Sequence, residues 1–320
     1  MVAKDCEKIM IDKNLLQKNM PDASKSPNAS SHQARALRLT AILTCFNRKQ
    51  NTLECMHALA ASTGMEQVQI SAVLVDDGST DGTAEAVRAL YPWVDVTVAD
   101  GNLFWCRGMH KAFATAMQNN PDYYLWLNDD TTLYADALSR LLDCAAVQRA
   151  RSGKPVIVVG STVDEHSGKL TYGGERRAAW WRRTSFIKVQ PSEQAQPCES
   201  MNGNIVLIPA ESARLVGNLD PAFEHAMGDT DYALRANKLG VGVWVAPGVH
   251  GTCGHNALTN TFLDSTLPLS KRWRKMLGRK GLPWRSWWVL SRRHAGLFWP
   301  LYFAWPYVRT VLSWARPRLK

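Results

Sequence analysis

From Leu37 onward the chain alternates short apolar runs with stretches of helical periodicity. Leu39–Leu43, Ile70–Val75, Val94–Ala99 and Tyr123–Leu127 have the length and composition of strands. Between them, Gln50 to Ala61, Thr83 to Leu90 and Met109 to Met117 read as helices. Strand, helix, strand, repeated with short connections, predicts an α/β fold in which a mostly parallel sheet is flanked by helices. Such sheets bind ligands at the carboxyl ends of their strands. Three of these strands end in polar side chains: Thr44-Cys45-Phe46-Asn47-Arg48, Asp76-Asp77-Gly78-Ser79 and Asn128-Asp129-Asp130. The later pattern is more mixed. Val156–Ser161, Gly203–Ile208 and Val241–Val245 read as strands, Ala210–Val216 and Asp229–Leu239 as helices, and Pro247–Gly254 as a Gly-rich loop. There is no internal repeat.

Composition divides the 320 residues into three parts. Residues 1–36 read as a flexible extension: Asp22–Ser31 is rich in Pro, Ser, Asn and Ala, and Ile9–Gln17 is helix-like with little to pack on. Residues 37–265 form the body. At 46% hydrophobic and 21% charged, the chain has the makings of an ordinary globular core. Residues 266–320 form a basic tail. Lys271–Lys320 holds 13 of the 38 Lys and Arg and no acid, which leaves 25 basic against 28 acidic side chains before it, a net of −3. A slightly acidic body with a basic tail argues against a uniformly basic nucleic-acid binder. The seven cysteines are odd in number and lack CxxC spacing, which argues against a disulfide framework and a zinc site and suits a reducing compartment. Met1–Met20 has charges throughout and no apolar core of a secretory signal, so the expected location is cytoplasmic.

The tail also holds seven Trp. Its longest uncharged run, Ala295–Val308, is 14 residues with two prolines, short of the roughly 20 that a spanning helix needs. Trp favours the membrane–water boundary and Lys and Arg favour anionic headgroups. The tail therefore reads as an interfacial segment, peripheral on the inner face of the cell membrane. The competing reading is a packed helical cap with a basic outer face. Nucleic acid ranks below both because the body is acidic.

The polar strand ends carry the candidate chemistry. Asp76 and Asp77 can accept hydrogen bonds from a base or ribose, or can serve only an Asx turn and a helix cap. Asp129 and Asp130, adjacent and alike in charge, want a cation, and a hard cation would bridge them to a diphosphate. Asp229 and Asp231 open a helix, where acids suit the dipole or supply a general base. Tyr172-Gly173-Gly174 and Ser200–Asn204 are candidates for an acceptor side or for simple turns.

In order and spacing, Thr44–Arg48, Val75–Thr83, Gly101–Gly108, Leu127–Asp130 and Gly228–Asp231 resemble the inverting glycosyltransferases of family two, which have the GT-A fold. The resemblance spans Arg38 to Asn256 and is similar to a subgroup of bacterial surface-polysaccharide synthesis that shares Asn102–Trp105 and Val243–Gly248. It implies a nucleotide-diphosphate sugar donor, a glycan or lipid-linked acceptor and Mg2+ or Mn2+. It places Thr44, Asn47, Arg48, Asp76, Asp77, Asn102, Arg107 and Asp129 at the donor and Asp130 at the metal. His250 or His255 would be a further metal ligand. Asp229 would be the base, with Asp231 structural or second choice. The sequence departs from the family at Asn128, Gly228 and His110, where Asp, an acid and Asn are usual. The rival readings are a nucleotidyltransferase, for which the first loop lacks glycines, and an inert nucleotide-sugar-binding or scaffold protein.

Overall fold

The computed structural model describes residues 35–254 and 259–315, with side chains to residue 313. The first part of the chain follows the expected alternation: β1 (Leu37–Cys45), α1 (Lys49–Ala60), β2 (Val68–Asp76), α2 (Thr83–Leu90), β3 (Val94–Val98), α3 (Phe104–Gln118) and β4 (Tyr123–Leu127). Next come β5 (Thr132–Leu133), α4 (Ala137–Ser152), β6 (Val156–Val159), β7 (Thr162–Val163) and β8 (Leu170–Tyr172). A hairpin of β9 (Gly174–Arg177) and β10 (Phe186–Lys188) leads to β11 (Gln196–Pro197), β12 (Ser200–Met201) and β13 (Ile205–Pro209). Helices α5 (Ala210–Val216) and α6 (Gly228–Lys238), then β14 (Gly242–Val245) and β15 (Gly251–Thr252), complete the body. The tail forms α7 (Leu269–Leu277), α8 (Trp284–His294) and α9 (Trp299–Ala315).

The central sheet has eight strands in the order β11-β14-β6-β13-β4-β1-β2-β3. The β1–β2, β1–β4, β2–β3 and β6–β14 pairs are parallel, while β13 runs antiparallel between β4 and β6. The mostly parallel α/β sheet expected from the sequence is therefore present. Its inner strands β1, β4, β6 and β13 are buried on both faces, which is why they read as continuous apolar runs. Alternate residues go to opposite sides: Ile42, Tyr124, Trp126, Val206 and Ile208 pack with α3, α6 and α8, while Leu43, Leu125, Leu127, Ile205 and Leu207 pack with α1, α2 and α4. On the first side Trp126 lies 4.8 Å from Tyr232 and 5.8 Å from Phe113, ring centre to ring centre. Such pairs add about 0.5–1.5 kcal/mol each beyond burial.

Two differences from the expected elements have local reasons. Helix α3 starts at Phe104 rather than Met109 because the Asp77 carboxylate accepts the amides of Leu103 and Phe104 at 2.8–3.1 Å. Helix α4 is not among the expected elements, although Leu138, Leu141, Cys144 and Ala145 recur at helical spacing and Gly153, at φ 64°, ends it.

The tail is tied to the body on one side. Trp287 and Leu290 of α8 are buried in the same core as α3 and α6, with Phe303 and Tyr307 of α9 packed against it. That inner face is the packed cap of the competing reading. The turn before α9 shows Leu297 and Phe298 to solvent, and the outer face of α9 shows Leu301, Trp305, Val308 and Leu312. Among the described residues no helix is long and apolar enough to cross a membrane. The N-terminal extension lies outside the described residues, apart from its last two positions.

Candidate active site

The parallel pairing brings Cys45 of β1 level with Asp76 of β2, so the loops after the two strands emerge side by side. They are stitched together by polar groups. The Asn47 amide donates to Ser79 Oγ, Asn47 Oδ1 accepts the Thr80 amide, and Asp76 Oδ1 accepts the Ser79 amide, each at 2.8 Å. Asp76 is 1% exposed and spent on this turn. Asp77 is also buried, and its bonds to Leu103 and Phe104 hold Phe104 at φ 57°, an unusual backbone for a bulky residue. Asn47 and Met227, at the start of α6, also have positive φ. Strain of this kind costs about 1–3 kcal/mol per residue and gathers at functional sites.

These loops open onto a cavity of about 380 Å³, within the range of small-ligand sites. Its wall takes Thr44, Cys45, Phe46 and Arg48 from the end of β1, and Asp77, Gly101, Phe104 and Trp105 from β2 and the start of α3. Asp129, His225 and Lys280 close it. Arg48 Nη1 lies 3.3 Å from Asp129 and 2.6 Å from Asp130, so a guanidinium supplies the cation that the two carboxylates require. Burial, the largest influence, pushes the Asp129 carboxyl up to about 7 against the pull of Arg48, and Asp130 adds to the rise. Asp129 Oδ2 is buried without a hydrogen-bond partner. Across the cavity, burial and then the charges of Lys280 and Arg48 push His225 down to about 4, so it faces the cavity as a neutral ring.

No three His, Cys, Asp or Glu among the described residues form a self-contained metal site. The orphaned oxygen of Asp129 and the adjacent Asp130 nevertheless suit magnesium, which commonly binds one or two carboxylates together with substrate phosphates. His250 does not join them. It is fully buried, both ring nitrogens lack partners, and burial pushes it down to about 4. The group beside Asp130 is Cys253, whose Sγ lies 3.6 Å from Asp130 Oδ1. Burial first and Asp130 second push that thiol up to about 12, so it is a hydrogen-bond donor and not a thiolate. His255 lies outside the described residues.

Asp229 stands one layer behind the cavity wall. Its Oδ2 accepts the Gly203 amide at 3.1 Å and its Oδ1 accepts its neighbour Thr230's amide at 2.8 Å. Trp105 lies over Gly203 so closely that a Cβ there would fall 2.4 Å from the indole ring, which requires glycine. The same indole lines the cavity and donates to Asn128 Oδ1 at 2.7 Å. Asn128, Trp105, Gly203 and Asp229 thus form one continuous contact from the carboxylate pair to the α6 start. Burial raises the Asp229 carboxyl above the usual carboxylate range, partly opposed by the two amides. Glu175 of β9 is raised too, by burial and then by the charge of Asp229.

Asp231, two residues on, faces elsewhere. It is fully buried and bonded to Arg235 at 2.8 Å, Arg293 at 2.9 Å and His294 at 2.8 Å. Burial would raise its carboxyl, but these partners together hold it below the ordinary value. Arg107 also points away from the cavity, to the Pro221 carbonyl at 3.0 Å and Glu224 at 3.6 Å. Asn102 is exposed at the rim, and its amide bonds Asp100. His110 Nδ1 meets the Leu219 carbonyl at 2.6 Å, a bond between α3 and the loop before α6. Thr44 Oγ1 donates to the Val75 carbonyl, and Gly108 lets α3 approach it. Lys280, His225, Trp105 and Glu175 were not among the sequence candidates. Trp105 lay inside a quoted motif, while Lys280 was hidden among the tail's basic residues.

Three likenesses accompany this geometry. The model of glycosyl transferase family 2 matches residues 40–199, half of the chain. The N-acetylglucosaminyl-diphospho-decaprenol L-rhamnosyltransferases of two Mycobacterium tuberculosis strains, CDC 1551 and H37Rv, are each 25% identical over 195 residues, covering 53% of this chain. The match spans 62% of their own length. The crystal structure of GalNAc-T7 with UDP, GalNAc and Mn2+ superposes with a TM-score of 0.52 over 69% of this chain and 43% of that one, at 14% identity, a likeness of fold.

Proposed function

The chain belongs to glycosyl transferase family 2, and from that membership we propose that it moves a sugar from a nucleotide-diphosphate donor to a hydroxyl of a lipid-linked glycan, with inversion. One observation carries the reading: Arg48, Lys280, Asp129 and Asp77 share one cavity, and behind its Trp105 wall stands a carboxyl of raised proton affinity. The name of the mycobacterial relatives supports the acceptor class, a sugar on a diphospho-decaprenol. Residues 37–265 would be the catalytic body, and the tail would hold it at an anionic membrane surface through the exposed apolar stripe of α9.

In this mechanism the nucleoside rests against the loops after β1 and β2, and its diphosphate meets Arg48 and Lys280. Asp129 and Asp130 would hold magnesium or manganese, which when bound neutralises charge on the departing nucleoside diphosphate. Asp229, deprotonated, accepts the proton of the acceptor hydroxyl. The hydroxyl oxygen forms the new bond to the anomeric carbon as the sugar–phosphate bond breaks, and that electron pair leaves on the nucleoside diphosphate. Attack opposite the leaving group inverts the anomeric centre.

The test is a panel of UDP-, dTDP- and GDP-sugars with a prenyl-diphosphate-linked acceptor, with and without Mg2+ or Mn2+. At least one donor should be consumed with product of inverted configuration. Retention, or no donor consumed, overturns the proposal. Asp130→Ala should abolish donor turnover while the far-UV circular dichroism stays native. Near-normal activity in that variant would remove the metal from this carboxylate pair.

Lys280→Gln should raise KM for the donor roughly 10- to 100-fold with little change in melting temperature, since a lost charge-assisted bond to phosphate is worth about 1.5–3 kcal/mol. Arg274→Gln, an exposed change on the same tail, is the control and should leave KM unchanged. Equal effects of the two would make Lys280 an ordinary surface charge.

A further inference from the structure

A second cavity lies outside the site described above. It has a volume of about 630 Å³ and sits between the tail helices, the tip of the β9–β10 hairpin and residues 262–265. Trp181, Trp287, Tyr302 and Trp305 give it aromatic walls. Three guanidinium groups, Arg182, Arg272 and Arg309, also line it, and no acidic residue does. Arg272 is the most telling of them. It is 7% exposed, its Nε donates to the Phe262 carbonyl at 3.0 Å, and it forms no ion pair among the described residues. The nearby Asp264 accepts the Asn260 and Thr266 amides and the Thr266 hydroxyl, and it feels the charge of Arg272 without closing an ion pair with it. A buried cation with no anion in contact is only partly compensated, and with three guanidinium groups and no acid in its lining the cavity suits an anionic group.

The cavity is also open to an apolar chain. Leu301 is 68% exposed, Trp305 57%, Trp181 55% and Leu263 50%, and Leu297 and Phe298 extend the same face into the turn before α9. An occupant would therefore be apolar at one end and anionic at the other. The hairpin gives it a direction. The Tyr302 hydroxyl donates to the Trp181 carbonyl, which pins the hairpin tip to α9. From that tip β9 runs back to Glu175, whose carboxyl feels the charge of Asp229.

We propose that this cavity seats the carrier of the acceptor, a polyprenyl diphosphate, with its diphosphate on Arg182, Arg272 and Arg309 and its isoprenoid chain against the Trp and Tyr walls. This rests on the lipid-linked acceptor reading above. Two phosphates match three guanidinium groups better than the single phosphodiester of a membrane phospholipid. Flat aromatic walls suit an unsaturated, methyl-branched chain. The arrangement would place the carrier at the membrane face while the sugar it bears reaches along the hairpin toward Asp229.

The probe is farnesyl diphosphate, titrated into the full chain and followed by quenching of tryptophan fluorescence and by equilibrium dialysis. Farnesol, inorganic diphosphate and phosphatidylglycerol vesicles are the comparisons. Farnesyl diphosphate should bind at least tenfold more tightly than either half of it. Arg182→Gln/Arg309→Gln, both at exposed positions, should weaken it at least tenfold, and Trp305→Ala should weaken it as well. Nucleotide-sugar binding and melting temperature should not move. Equal affinity in wild type and variants overturns the proposal, as does saturation by phosphatidylglycerol that abolishes farnesyl diphosphate binding. If farnesyl diphosphate binds as expected and no nucleotide sugar is consumed, the cavity stands and the transferase reading falls. If donors are consumed and farnesyl diphosphate does not bind, only the cavity assignment falls.

Discussion

Asp229→Asn should lower sugar transfer by roughly 10²–10⁴, the range for a general base, while donor affinity changes less than about threefold. The substitution keeps size and one acceptor oxygen for the amides of Gly203 and Thr230, and removes the proton-accepting charge. The pH profile supplies a second readout. Burial raises the Asp229 carboxyl above the ordinary value, and the base works only when deprotonated. The kcat/KM of the wild type should therefore rise with pH through a limb placed above the normal carboxylate range, and that limb should vanish in the variant. Comparable loss of donor binding would move Asp229 to the donor site. Unchanged turnover would take the base role from it altogether.

Asp231→Asn should act on stability and leave the rate per folded molecule near normal. Removing one member of a buried ionic cluster costs about 3–5 kcal/mol because the remaining charges stay buried and unpaired. In a chain of this size that should lower Tm by roughly 10 °C. The sign of the pH dependence is set by the lowered carboxyl. In the native protein it gives up its proton at lower pH than in the unfolded chain, so its contribution is fully present above the unfolded value near pH 4 and is lost as pH falls through the native one. The difference in Tm between wild type and Asp231→Asn should be largest near neutral pH and shrink in acid. A variant that melts normally yet fails to transfer sugar would return Asp231 to the chemistry.

Much of the frame was legible because its causes are local. The strands buried on both faces appear as apolar runs, and the polar residues that follow β1, β2 and β4 are found at the sheet edge where ligands bind. The GT-A fold, implied by the family resemblance, agrees with the solved structure that the chain resembles. The Asp129–Asp130 pair announced a need for positive charge, since adjacent carboxylates repel. Its present partner is Arg48, from a loop 81 residues earlier, which sequence distance conceals.

The sequence by itself determined the α/β class, the strand ends and the set of carboxylates. Only tertiary structure decided what surrounds each carboxylate. Asp229 and Asp231 lie two residues apart in one helix, and at about 100° per residue they point to nearly opposite sides. One side meets Gly203, behind the Trp105 wall of the cavity, and the other meets Arg293 and His294 of α8. Likewise Lys280 looks like any other basic residue of the tail until α7 and α8 dock and set it in the cavity wall. A helix's own sequence sets how its side chains are spaced around the axis; what stands opposite each of them is set by segments far away in the chain, and it is that opposite partner which fixes charge, proton affinity and role.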